Sequence, residues 1–209
     1  MIKVFIADDH ALLREGLRMI LSAAPDIEVS GEADNGEAVL RALPTNDADV
    51  LLLDMAMPGL SGYDVLHHLV QRNHKIAVLI LSMYPEEQYA LRFLKSGAVG
   101  YLTKESASSQ LLNAVRAAAA GKRYVTPAVA TLLADAICDD GEVSLHERLS
   151  EREYQVLLHI ASGKTPTQIA ELMHLSVRTV STYRSRILVK MRLNNSAELT
   201  RYAAVNQLV

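Results

Sequence analysis

Asp8, Asp9 and Asp54 are the residues of this chain whose type and placing speak first of chemistry. Asp8 and Asp9 close the apolar run Val4-Phe5-Ile6-Ala7, and Asp54 closes Val50-Leu51-Leu52-Leu53. Short apolar runs bounded by polar residues read as strands of a parallel sheet, buried on both faces by helices. In an open α/β sheet the carboxyl ends of the strands line one crevice, and ligands bind there. All three acids would then crowd a single pocket. Like charges so close repel strongly unless something positive sits between them. Carboxylate oxygens suit a hard divalent cation, Mg²⁺ first.

Later runs supply the rest of the pocket. Ile76-Ala77-Val78-Leu79-Ile80-Leu81 ends at the hydroxyl of Ser82, and Ala98-Val99-Gly100-Tyr101-Leu102 leads through Thr103 to Lys104. A lysine there can neutralise an acid or hold a phosphoryl oxygen as a point charge. Taken singly, each residue has an ordinary explanation. An Asp after a strand turns the chain or caps the next helix, as Asp9 could for a helix starting near Ala11, and a lone Lys is solvated. All five at strand ends, in this order, resemble the receiver domain of bacterial response regulators over about residues 1–122. Asp54-Met55-Ala56-Met57-Pro58-Gly59 is its phosphoacceptor segment.

The resemblance implies that Asp54 accepts a phosphoryl group from a sensor histidine kinase, with Lys104 and Ser82 serving the transfer. It implies that Asp8, Asp9, Asp54 and the backbone carbonyl of Ala56 hold Mg²⁺, and that Ser82 and Tyr101 move when the phosphoryl group arrives. Ala56 replaces a frequently polar residue, and Tyr84, two past Ser82, is bulky. Both flank the path of an attacking water, so they bear on the lifetime of the aspartyl phosphate.

These residues need a scaffold, and the pattern supplies one. Strands near 3–8, 27–33, 49–53, 76–81 and 98–102 alternate with helices near 11–23, 36–43, 62–72, 86–95 and 107–119. Such alternation argues for a doubly wound α/β domain with right-handed crossovers. The resemblance makes it a five-stranded, flavodoxin-like parallel sheet. A short apolar helix from Thr126-Pro127 to Ile137 is followed by Asp139-Asp140-Gly141-Glu142, and residues 123–145 read as a linker. A helix capping either domain is the alternative there.

Charge separates the two ends of the chain. From Arg148 to Val209 nine basic residues face four acidic ones, a balance of +5. The net charge of −3 leaves −8 for everything before. A basic end on an acidic body suits a polyanion partner once a motif supports it.

The motif is present. Ser150 and Glu153 form a capping box before Val156-Leu157-Leu158-Ile160-Ala161, and Gly163 ends that helix. Pro166 opens a second, short helix, and Ser176 caps a longer one reaching Met191. Val177, Val180, Ile187 and Met191 recur at helical spacing as its core face. Arg178, Thr179, Ser181, Thr182, Tyr183, Arg184, Ser185 and Lys190 lie outside that stripe. Hydroxyls and guanidinium there suit base edges in a major groove, with Arg184 placed to read a base and Lys190 to meet a phosphate.

Leu149-Ser150-Glu151-Arg152-Glu153, Gly163-Lys164, Gln168-Ile169-Ala170, Leu175-Ser176, Thr179-Val180 and Lys190-Met191 resemble the LuxR-type DNA-binding domain over residues 146–209. Together the halves resemble a NarL/FixJ-type response regulator: a receiver, and a small all-α helix-turn-helix domain. Pro166-Thr167, Tyr183 and Ser181 depart from the commoner residues, so the DNA sequence cannot be carried over. The resemblance implies DNA and RNA polymerase as partners and a homodimer on DNA. A last helix from Ser196 to Val205, apolar at Leu199, Tyr202 and Ala203, is either the family's dimer surface or a core helix.

Other classes fare worse. Haloacid-dehalogenase phosphatases also use an Asp with Mg²⁺ but need a second acid two residues on, where Ala56 stands, so an enzyme is not expected. Gly163-Lys164-Thr165 lacks the earlier Gly of a phosphate-binding loop, and adjacent His67-His68 point apart on a helix. A phosphorylation-independent DNA binder, using the receiver for dimerisation, is the alternative function. The single Cys, Cys138, gives no disulfide framework. With no signal peptide and no run approaching ~18 apolar residues, the expected location is the cytoplasm.

Overall fold

The apolar runs form a five-stranded parallel sheet in the order β2-β1-β3-β4-β5. The structure, a computed structural model, describes residues 1–138, 144–173, 175–206 and 208–209. The strands are β1 (Ile2–Ala7), β2 (Ile27–Ala33), β3 (Val50–Asp54), β4 (Ala77–Ser82) and β5 (Gly100–Thr103). The helices between and after them are α1 (Ala11–Ser22), α2 (Gly36–Ala42), α3 (Gly62–Gln71), α4 (Glu86–Lys95), α5 (Ala107–Ala119) and α6 (Pro127–Cys138).

This order places the functional residues. The winding reverses beside β1, so the switch point of the sheet falls between β1 and β3. Ala7 is level with Leu53, and the next residues, Asp8 and Asp54, emerge side by side. Asp54 is level with Leu81, and Ser82 with Thr103. On one face of the sheet Val4, Ile6, Leu52, Leu79 and Leu81 pack with Leu17 and Leu21 of α1 and Leu111 and Val115 of α5. The alternate residues Phe5, Leu51, Leu53 and Ile80 are equally buried on the other. Each such side chain contributes ~1.5–3 kcal/mol of burial free energy, which holds the strand ends still.

The chain divides into two compact units, Met1–Cys138 and Asp139–Val209. The segment read as a linker therefore contains α6, a helix of the first unit. It packs against α4, with Val129 buried and Thr126 Oγ1 donating to Glu86 Oε1 at 2.8 Å. Composition alone could not show that α4 would take it. The Asp139-Asp140-Gly141-Glu142 break lies outside the described residues.

The second unit contains α7 (Glu151–Ala161), α8 (Pro166–Leu172), α9 (Val177–Met191) and α10 (Ser196–Val205). Each begins on a capping side chain. Ser150 and Glu153 form the expected capping box, Thr165 and Gln168 form another, and Ser176 and Asn195 accept the N–H groups of Thr179 and Glu198. Gly163 takes φ +79°, turning the chain from α7 to α8 at little steric cost. Val180, Ile187 and Met191 are buried as their spacing predicts. Val177 is not: as the first residue of α9, beside its N-cap, it is 45% exposed. On α10, Leu199 and Ala203 are fully buried and the helix packs against α7, which makes that apolar stripe part of the domain's own core.

Candidate functional site

Asp8, Asp54, Ser82 and Lys104 meet where the strands end. Asp8 and Asp54 are almost wholly buried, and Lys104 Nζ reaches both, at 2.8 Å from Asp8 Oδ2 and 2.9 Å from Asp54 Oδ2. Asp54 Oδ1 accepts the Ala56 N–H at 3.2 Å, and Asp8 Oδ1 accepts the His10 N–H at 2.7 Å. Gly62 lets α3 begin against this loop: a Cβ there would stand 2.2 Å from the Asp54 carbonyl oxygen. Any larger residue must push the loop that carries the acid.

The electrostatics follow from crowding. Burial first, and then the charge of Asp8, raises the Asp54 pKa, opposed by Lys104 and the Ala56 N–H. Burial also works against the Lys104 charge, but Asp54 and Asp8 outweigh it and hold its pKa above the ordinary lysine value. Three carboxylates crowd around one ammonium, an excess of acid groups over basic ones in the pocket. The buried oxygens Asp8 Oδ2 and Asp54 Oδ2 lie at ion-pair distance from Lys104 yet take no hydrogen bond of good geometry. Ligand atoms of Asp8, Asp9, His10 and Asp54 lie within 4.8 Å of one another. Excess acid groups, oxygen donors and open lone pairs fit a hard divalent cation.

One residue, Tyr84, links the two residues expected to move. Tyr84 N–H donates to Ser82 Oγ at 3.0 Å, and Tyr101 OH donates to the Tyr84 carbonyl at 3.0 Å. Ser82 Oγ also lies 3.7 Å from Met55 Sδ, and the Lys104 N–H donates to the Ser82 carbonyl at 2.7 Å. Tyr101 is buried, 6.0 Å from the Phe93 ring of α4, while Tyr84 lies 5.1 Å from Tyr89 of the same helix. A change at Ser82 thus has a physical route to α4.

Sequence reasoning missed two members of this pocket. His10 Nδ1 lies 2.7 Å from Asp9 Oδ1 and 3.3 Å from Asp8 Oδ1. Arg14 Nη1 donates to the Asp8 carbonyl at 2.5 Å. The signal for His10 was its place in Asp8-Asp9-His10; the signal for Arg14, one helical turn on, was its spacing. Asp9 does not cap α1, whose N-cap is His10 without a side-chain bond.

On α9 the candidates separate into two groups. Arg178, Ser181, Thr182 and Ser185 are exposed, with Thr179 and Tyr183 half-buried. The hydroxyls of Ser181, Thr182 and Ser185 donate to carbonyls four residues back, at 3.0 Å each. Their lone pairs stay available to accept. Arg184 is not free on the exposed face: its Nε donates to Ser196 Oγ of α10 at 2.7 Å. Lys190 Nζ is 2.6 Å from Oε2 of Glu153, a carboxylate only 3% exposed. Burial works against the Glu153 charge, but Lys190 and the Ser150 N–H outweigh it and lower its pKa.

Lys190→Ala is therefore expected to destabilise the second unit by ~1–2 kcal/mol, the worth of a hydrogen bond to a buried charge. Because the Glu153 pKa is depressed, that stability is present above the ordinary carboxyl range and disappears as pH falls through the folded-state value. Urea unfolding at neutral and acid pH checks both statements. Equal stability of variant and wild type at neutral pH would leave Lys190 as a mere surface charge.

A strand-end acid pocket with a buried lysine, followed by a capped helix-turn-helix, defines a response regulator. Residues 4–116 match the response regulator receiver domain family, and residues 147–203 match the bacterial regulatory proteins of the luxR family. The chain is 35% identical over 204 residues to Response regulator UvrY of Escherichia coli (strain K12), covering 97% of this chain and 94% of that protein. It is 34% identical over 210 residues to Response regulator GacA of Pseudomonas aeruginosa, covering 100% of this chain and 98% of that one. Among solved structures, RcsB from Salmonella enterica serovar Typhimurium, bound to promoter rprA with phosphomimetic BeF3−, aligns with a TM-score of 0.61 at 27% identity, over 98% of this chain and 99% of that one. The chain belongs to the NarL/FixJ family of response regulators, phosphorylation-controlled regulators of transcription. Among the described residues, no helix is long and apolar enough to cross a membrane.

Proposed function

We propose that Asp54 takes a phosphoryl group from the phosphohistidine of a sensor histidine kinase, and that the added charge controls DNA binding by the second unit. The observation that carries this is Asp54 itself: a buried carboxylate at a strand end, 2.9 Å from a lysine and crowded by a second acid. In the transfer the phosphorus–nitrogen bond of the donor breaks as a bond from an Asp54 oxygen to phosphorus forms. Asp8, Asp9, Asp54 and the Ala56 carbonyl would hold Mg²⁺, which when bound offsets the negative charge on the transferring phosphoryl oxygens.

The chain's own residues do the rest. Lys104, already among the acids, would hold a phosphoryl oxygen. For Ser82 to donate to another, its hydroxyl must turn from Met55, and a swing of Oγ toward that oxygen would stretch its bond from the Tyr84 N–H. Tyr84 can then shift, and Tyr101 with it, which biases α4 and the α6 helix seated on it.

On the DNA side, Arg178 with the hydroxyls of Ser181, Thr182 and Ser185 offers the freest reading surface, flanked by Thr179 and Tyr183. Arg184 and Lys190 would have to leave Ser196 and Glu153 to reach DNA, which lowers what either contributes. A homodimer would set two such helices on half-sites ~10 base pairs apart, and RNA polymerase is the expected recipient of the signal. The setting is the cytoplasm. Selecting binding sites from a random duplex library, with and without a phosphodonor, tests the output. Enrichment of a two-fold symmetric site, stronger with phosphodonor, is expected; no enrichment in either condition would overturn the DNA-binding role.

A further inference from the structure

We infer that His10 is a nitrogen donor to the metal pocket, so that the site favours a first-row transition ion over Mg²⁺ more than an all-oxygen pocket would. The inference rests on the reading of Asp8, Asp9 and Asp54 as metal ligands. His10 Nδ1 lies 2.7 Å from Asp9 Oδ1 and 3.3 Å from Asp8 Oδ1. Neighbouring donors around one six-coordinate ion, at ~2.1 Å from it, stand ~3.0 Å apart. Those two separations straddle that edge. Ligand atoms of the full set, with Asp54 included, lie within 4.8 Å of one another, against ~4.2 Å for opposite donors on such an ion, so the widest pair must close by about half an ångström.

The His10 ring pairs with the Asp9 carboxylate and does not pack in the core. The His10 side chain is 65% exposed, and it caps nothing, since α1 begins without a side-chain cap bond. The link that fixes Asp8 comes from the His10 backbone N–H, which any residue but proline supplies. An imidazole adds a nitrogen donor to the carboxylate oxygens already there. Mg²⁺ prefers oxygen and holds its waters, whereas later first-row ions accept imidazole readily.

The test uses the full chain with Mn²⁺, Ni²⁺ and Mg²⁺, each alone, comparing wild type with His10→Ala. Pulsed electron paramagnetic resonance of bound Mn²⁺ should show nitrogen hyperfine coupling in wild type and none in the variant. Calorimetric titration with Ni²⁺ and Mg²⁺ should show about a tenfold or larger loss of Ni²⁺ affinity in the variant, with Mg²⁺ affinity changed less than about twofold. Mn²⁺ bound in wild type without nitrogen coupling would overturn the role of His10 and leave the carboxylate site intact. Equal losses for Ni²⁺ and Mg²⁺ would also overturn it, since His10 would then only be organising the acids. No binding of any of these ions would instead defeat the metal reading on which this one stands.

Discussion

Incubated with a small phosphodonor and Mg²⁺, the wild-type chain is expected to gain one phosphoryl group, and Asp54→Asn none. The amide keeps the shape of the carboxylate but lacks its charge and nucleophilicity. It should also fold. Burial and the charge of Asp8 raise the Asp54 pKa, so at neutral pH the ionised form opposes folding. Asn removes that opposition, and a higher Tm than wild type is expected. The sign is fixed by the shift: the gain is absent where Asp54 is protonated in both states and grows as pH rises through its folded-state pKa. Asp9→Ala should lose labelling at low Mg²⁺, through the ion rather than the acceptor. Intact mass reads the labelling and thermal melts read the stability. Full labelling of Asp54→Asn would place the acceptor elsewhere.

The second large effect separates acceptance from output. Lys104→Ala should still accept the phosphoryl group, more slowly, yet give no rise in DNA affinity. Lys104 stands in contact with both Asp8 and Asp54, and its backbone N–H is bonded to the Ser82 carbonyl. It is therefore the cation through which new charge on Asp54 can pull on the loop carrying Ser82 and Tyr84. Removing it also leaves two buried carboxylates without their ammonium, a change costing ~3–5 kcal/mol for a broken buried pair. Mg²⁺ in the assay should restore part of that. Equal DNA activation by phosphorylated wild type and variant would remove Lys104 from the switch.

The pocket was legible because its residues sit at strand ends, and apolar runs mark strand ends in sequence. Asp8, Asp54, Ser82 and Lys104 needed only a parallel sheet to bring them together. His10 and Arg14 were not legible in the same way. Each lies on the turn or helix after β1, where position depends on how the chain bends rather than on its register. On α9, spacing identified Val180, Ile187 and Met191 as core, because the period of a helix fixes its faces. Spacing could not show that Arg184 and Lys190, long and flexible, bend toward Ser196 of α10 and Glu153 of α7. Nor could it show α6 seated on α4, since an apolar helix in a polar segment is compatible with several partners.

Control of DNA binding through Asp54 is tested most directly by binding isotherms of the full chain on a selected duplex, at fixed salt and Mg²⁺, with and without phosphodonor. Wild type is predicted to bind about five- to 150-fold more tightly with the phosphodonor, the usual range for a coupling free energy of 1–3 kcal/mol, and Asp54→Asn to bind the same in both conditions. An unchanged wild-type isotherm despite full labelling by mass, or an equal gain in Asp54→Asn, would contradict it.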